Sequence, residues 1–194
     1  MSKILVAYSS NTGSTAEVAA ALAEALAQAG HLADVHPFAE VNDLQGYDAV
    51  VVGAPMIFGW HQPARRFVHR FQADLASKKA AYFACAMRLT VVPGAKLPPM
   101  ALTLDPNLVS EPVKAGALNF KERFTAAGNY LKKMITAAPA VKPVSVAFFN
   151  GSLDMRRLKW WQAAFVMLVV QGTPGDYRDW DFIRAWGKTL SEVL

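Results

Sequence analysis

The 194 residues predict an α/β fold: a doubly wound parallel sheet of five strands in the order 2-1-3-4-5, with helices on both faces. Three observations predict it. Short apolar runs alternate with helical periods along the chain. The run Val50-Val51-Val52 has no polar residue on either face, as a strand covered on both sides requires. A hydroxyl-rich turn separates the first strand from the first helix.

Lys3 to Tyr8 reads as the first strand. From Gly13 to Ala29, Val18, Leu22 and Leu26 fall at every fourth position, so one stripe faces the sheet, and Gly30 ends the helix. Leu32 to His36 makes the second strand, closed by Pro37, and Asp48 to Ala54 the third. Arg65 to Leu75 is helical, Ala80 to Met87 is the fourth strand, Lys121 to Thr136 a helix and Val144 to Phe149 the fifth strand. Asp179 to Leu194 closes the chain as a helix with Ile183, Trp186 and Leu190 on one face. In this strand order, ligands bind at the carboxyl ends near the switch between the first and third strands.

A mass of 21.1 kDa with 53% hydrophobic residues fits one domain over residues 1–194. The lone Cys85 cannot form an intramolecular disulfide, and Met1-Ser2-Lys3 leads straight into a strand, so a cytoplasmic location is expected. The net charge of +5 and pI near 9.4 call for an anionic partner: a nucleic acid, a lipid headgroup or a carboxylate-bearing small molecule.

The run Ser9-Ser10-Asn11-Thr12-Gly13-Ser14-Thr15 offers hydroxyls and one glycine where the first helix begins. A helix start has N–H groups without intrahelical partners and the positive end of the dipole, so an anion docks there. No lysine or arginine lies in the loop, which excludes a nucleoside triphosphatase loop, and the single glycine excludes the three-glycine dinucleotide fingerprint. A phosphate monoester held by neutral donors remains, as in flavin mononucleotide (FMN). An ordinary capped turn is the alternative.

After the third strand comes Ala54-Pro55-Met56-Ile57-Phe58-Gly59-Trp60-His61. Large apolar residues on such a loop are covered either by a planar ligand, with Phe58 or Trp60 stacked on it, or by a buried turn. Ala86-Met87-Arg88, after the fourth strand, would supply the far side. His61 is either a proton donor near that ring or a polar contact. His31, His36 and His69 have no ligand spacing, so no metal is expected. Cys85 reads as core packing. Neither a Gly-x-Ser-x-Gly elbow nor a receiver-domain aspartate at Ala54 is present.

Two stretches exceed the minimum for such a sheet. Residues 90–119 hold five of the eleven prolines (Pro93, Pro98, Pro99, Pro106, Pro112) without a clear period, and read as an irregular excursion, either a lid or a packed surface loop. Residues 155–172 begin with Arg156, Arg157 and Lys159, then run apolar through Trp160, Trp161 and Phe165. As a helix, Trp160 to Val170 would cover about 16 Å, half a bilayer core of about 30 Å, so it cannot span one. Paired tryptophans beside cations match a headgroup boundary; a core helix or a dimer face is the alternative.

Val6 to Leu22 resembles the flavodoxin signature, with Tyr8, Ser10, Gly13, Thr15, Ala19 and Leu22 at matching positions and Ala7 departing from a usually larger residue. The resemblance implies FMN as cofactor and gives Ser10, Asn11, Thr12, Gly13, Ser14 and Thr15 the phosphate role. Val52 to His61, Phe67-Val68, Asn150 to Leu153, the stretch through Trp161 to Gly172 and Asp179-Trp180-Asp181 resemble the flavodoxin-type, menaquinone-dependent protoporphyrinogen oxidases. That family implies hydride removal from a porphyrinogen, a membrane quinone as acceptor in heme biosynthesis and peripheral membrane attachment, with no nucleic-acid partner.

On this resemblance Ala54 to Trp60 and Ala86 to Arg88 hold the ring, and Arg65, Arg66 and Arg88 meet porphyrin propionates, although Arg65 and Arg66 also suit a solvated helix face. Arg156, Arg157, Lys159, Trp160, Trp161 and Phe165 face membrane and quinone. Self-association stays open. The rival functions are a soluble electron carrier or quinone reductase on the same flavin, and a flavin-free interaction module.

Overall fold

The computed structural model describes residues 1–56, 59–94, 100–114, 116–154 and 173–194. In chain order the elements are β1 (Lys3–Tyr8), α1 (Ser14–Gln28), β2 (Leu32–Pro37), β3 (Ala49–Pro55), α2 (Gln62–Arg70), α3 (Gln72–Ser77), β4 (Lys79–Ala86), β5 (Leu89–Thr90), β6 (Ala101–Leu104), β7 (Val109–Ser110), α4 (Phe120–Thr125), α5 (Ala127–Ile135), β8 (Ser145–Asn150), β9 (Ser152–Leu153), β10 (Gly175–Asp176) and α6 (Trp180–Val193). The main sheet runs β2-β1-β3-β4-β8-β6. All its pairings are parallel.

Successive strand residues point to opposite faces, so each central strand feeds two cores. Leu5, Ala7, Val50, Val52, Tyr82, Val146 and Phe148 pack on one side with Ala64, Phe67 and Val68 of α2, Leu75 of α3 and Leu131 and Met134 of α5. Ile4, Val6, Val51, Phe83, Cys85 and Phe149 pack on the other with Val18, Leu22 and Leu26 of α1 and Ile183, Trp186 and Leu190 of α6. Both predicted helical stripes therefore face the sheet. The helices α1 and α6 approach closely because Gly187 has no side chain; a Cβ there would lie 2.8 Å from that of Ala25.

The expected strand order holds for the five strands, but a sixth is added. Ala101–Leu104 pairs with Ser145–Asn150 and makes the outer edge, so the strand that is fifth in the chain lies outside the last. It comes from the proline-rich excursion, which is thus partly regular. Asp105 fastens it: its backbone N–H donates to Phe148 O, and its carboxylate accepts from Asn150 N (3.0 Å) and Asn107 N (2.8 Å). The strands β5 and β7 also pair, parallel to each other. Leu102 and Leu104 alternate with Thr103 and pack on the α2 and α5 side, but four residues are too few for this pattern to stand out as a strand in the sequence.

Two predicted helices are each broken in two. Arg65 to Leu75 spans α2 and α3, which meet at Phe71, whose φ of −100° and ψ of 22° leave the helical well. Lys121 to Thr136 is interrupted at Ala126, which is extended and forms a bridge with Thr90. The Thr90 and Thr125 hydroxyls meet at 2.8 Å beside it. Here a tertiary contact overrides a continuous helical period.

Among the described residues, two buried side-chain atoms, Trp60 Nε1 and Tyr82 OH, have no hydrogen-bond partner. An unpaired buried hydroxyl costs about 1–3 kcal/mol. Tyr82→Phe is therefore expected to raise the unfolding free energy by about 1 kcal/mol in urea denaturation. Gly53 is the opposite case, since a Cβ there would fall 1.9 Å from the Phe83 ring. Gly53→Ala is expected to lower stability by about 3 kcal/mol, the upper end of the overpacking range, in the same measurement.

Candidate functional site

The hydroxyl loop begins where β1 ends. Ser9 N donates to Gly53 O at 3.0 Å, which fixes the loop at the switch between β1 and β3, where open parallel sheets bind ligands. Gly13 caps α1 in the left-handed region (φ 91°) and, as a glycine, brings no side-chain acceptor of its own to the helix start. A helix start of this kind suits an anionic acceptor. Gly13 N donates to Ser10 Oγ (2.9 Å) and Ser152 N to Ser14 Oγ (3.2 Å), so each of these serines still has its own O–H to give. Ser14 and Thr15 are buried, and Asn11 is exposed.

A residue without a sequence signal completes this corner. Arg178 is 6% exposed and donates from Nη1 to Ser14 O (3.2 Å) and Glu17 Oε2 (2.7 Å), and from Nε and Nη2 to the two carboxylate oxygens of Asp176 (2.8 and 2.6 Å). Its guanidinium also stacks 4.3 Å from the Trp180 ring centroid. These hydrogen bonds hold the Asp176 carboxyl below the usual carboxylate range. With Nε, Nη1 and Nη2 all engaged, Arg178 fastens the returning chain, β10 paired with β9, to the start of α1. Only packing brings residue 178 to residue 14, so no local spacing could have revealed it.

Burial pushes the nearby Cys85 thiol up to about 12 despite a Thr15 hydrogen bond and the Arg178 charge, so it stays protonated and serves the core.

Of the two readings of the loop after β3, Met56 and Trp60 take the buried turn. Met56 and Trp60 pair with each other and are 5% and 2% exposed, and the Trp60 ring packs 5.1 Å from that of Tyr82. Ala54 and Pro55 are buried too. A core does exist for these side chains, below the loop on the α2 and α5 face, so Trp60 presents no open ring face to a ligand. Ile57 and Phe58 lie outside the described residues, as do Arg156, Arg157, Lys159, Trp160, Trp161 and Phe165. On the far side, Gly151 N donates to Ala86 O (2.9 Å), Met87 is 37% exposed, and Arg88 is exposed near Glu122.

His61 joins the two sides of the switch. Its Nδ1 lies 2.9 Å from Ser9 Oγ, and its backbone N–H donates to Pro55 O. Half-burial lowers its pKa, so the imidazole is neutral at pH 7. It lines an open cleft of about 470 Å³ with Arg65, which Arg66 does not reach. Among the described residues no His, Cys, Asp and Glu cluster could hold a metal, and no helix is long and apolar enough to cross a membrane.

The Arg178 fastener has a measurable weight. Arg178→Met leaves Asp176 and Glu17 without their partner, and because both are half-exposed the expected loss is about 2 kcal/mol by urea denaturation. Arg178→Lys should recover only part of it, since an ammonium cannot form the two-pronged contact.

The comparisons agree with this geometry. The flavodoxin domain profile matches residues 5–179. The chain is 23% identical over 98% of its length, and 96% of the relative's, to the protoporphyrinogen IX dehydrogenase [quinone] of Escherichia coli K12. In fold it is similar to oxidised flavodoxin 2 of Bacillus cereus (16% identity, 99% of each chain, TM-score 0.52) and flavodoxin 1 of the same organism (15%, 100% and 99%, TM-score 0.50). A helix start with a left-handed glycine and neutral hydroxyls fits a phosphate monoester, and FMN is the cofactor that this match implies. The chain belongs to the flavodoxin-domain family.

Proposed function

We propose that this chain is an FMN-dependent oxidoreductase that oxidises a porphyrinogen and passes the electrons to a quinone at the cytoplasmic face of a membrane. The observation that carries the reading is the start of α1, where the cap is Gly13, without a side-chain acceptor, and Ser10 and Ser14 keep hydroxyl protons to donate. Full-length similarity to the E. coli dehydrogenase supports the porphyrinogen, and a net charge of +5 suits a substrate bearing carboxylates. The cations and tryptophans of residues 155–172 support contact with lipid and quinone.

FMN, when bound, supplies the two-electron chemistry. The chain supplies binding and position. Ser10, Asn11, Thr12, Gly13, Ser14 and Thr15 would hold the phosphate with neutral donors. The backbone of Ala54, Pro55, Met56 and Gly59 and the segment Ala86-Met87-Arg88 would wall the ring, with Ile57 and Phe58 between. Trp60 backs this loop from the core. Arg65, Arg66 and Arg88 would draw the propionates. His61, neutral and tied to Ser9, would exchange a proton with the substrate.

Gly13→Asp places a carboxylate beside the phosphate and a side chain at a positive φ, so FMN affinity should fall at least about 100-fold, near 3 kcal/mol, in a fluorescence titration. The loaded protein, incubated anaerobically with protoporphyrinogen and a quinone, should develop porphyrin fluorescence. A yellow protein without turnover would indicate an electron carrier, and one that stays colourless with added FMN would sink the flavin reading.

A further inference from the structure

We infer that the cleft between α2 and α5 is a carboxylate subsite in which Lys133 and Arg65 together hold an anionic substrate group beside His61. Gly59, Trp60, His61, Gln62, Arg65, Lys133 and Thr136 line it, and among the described residues no Asp or Glu does. Burial lowers the pKa of the imidazole there. The described lining therefore carries two cationic side chains and no carboxylate, beside the start of α2, whose cap residue makes no side-chain bond to it. Among the described residues Arg65 makes no ion pair.

Lys133 is placed by its surroundings. Its stem passes Gly59, which has φ 137°, and a Cβ at that position would lie 3.2 Å from Lys133 Cδ and 3.6 Å from Nζ. A residue other than glycine would meet the lysine stem and be strained in its backbone. On its other side the ammonium lies 5.0 Å from the centroid of the Phe124 ring, within cation–π range. An aromatic face and a close backbone passage order this side chain before any ligand arrives, which lowers the entropy lost on binding.

A second surface cleft shows the contrast. It holds about 270 Å³ and is lined by Glu40 and Asp43 as well as Lys3, and Lys3 is already bonded to Asp34. That cleft has no surplus of positive charge. At about 470 Å³ the Lys133 cleft admits the carboxylate arms and one edge of a large ring rather than a whole macrocycle. The matching chemistry is a flat apolar molecule with two short carboxylate arms. The substrate's identity rests on the function proposed above, whereas the anion subsite rests on the cleft alone.

Binding of mesoporphyrin IX, a dicarboxylate, and of its dimethyl ester can be followed by quenching of tryptophan fluorescence in the FMN-loaded protein. The native protein should bind the acid and bind the ester at least tenfold more weakly. Lys133→Gln and Arg65→Gln should each weaken binding of the acid about tenfold, leave the ester unchanged and leave FMN affinity unchanged. The subsite is overturned if the native protein fails to bind the acid, if acid and ester bind alike, or if Lys133→Gln binds the acid as tightly as the native protein. Acid binding with the expected variant losses but no oxidation of protoporphyrinogen would keep the subsite and reject the proposed reaction.

Discussion

The arrangement depends on a helix start whose capping residue brings no side chain to it. The first N–H groups of α1 emerge at the carboxyl edge of a buried parallel sheet, with glycine and not a side-chain acceptor at the cap. Helix-start donors favour an anion, and FMN, the cofactor that the flavodoxin match implies, carries one. The hydroxyls around it are neutral and the loop has no lysine, which suits a phosphate monoester and separates this loop from those that hold nucleoside triphosphates.

Holding such a corner open requires fastening on each side. Ser9 ties the loop to β3 through Gly53, and Arg178 ties the chain returning through β10 to Ser14 and Glu17. Asp176 and Glu17 balance the guanidinium charge, so the fastener adds rigidity more than positive potential. The Ser9 to His61 contact closes the third side and brings a neutral imidazole to the switch between β1 and β3. Two cationic side chains, Arg65 and Lys133, line one cleft with this imidazole.

The loop after β3 shows why apolar character alone is an ambiguous guide to a ligand. Met56 and Trp60 are the large hydrophobes a planar cofactor would want, yet both are drawn under the loop by the core that Tyr82 and α2 build. The same burial leaves Trp60 Nε1 and Tyr82 OH without partners among the described residues, a local conflict between packing and polar satisfaction. What the loop offers a ligand from these residues is then mostly backbone, and at Gly59 that backbone passes the Lys133 side chain of α5.

Sequence alone determined the layers, the order of the five strands and the hydroxyl loop, because each is written in residues close along the chain. Strand alternation splits Ile4 from Leu5, a four-residue stripe aligns Val18 with Leu22 and Leu26, and Gly13 stands within one turn of the helix-start donors. Tertiary structure decided what joins distant segments. Ala101–Leu104 became a strand because β8 had an open edge, and Ala126 left its helix to meet Thr90. Trp60 entered the core, Arg178 reached Ser14, and Lys133 passed Gly59. Short-range periodicity encodes which face a residue takes, whereas the neighbour it meets on that face is set only when whole elements pack.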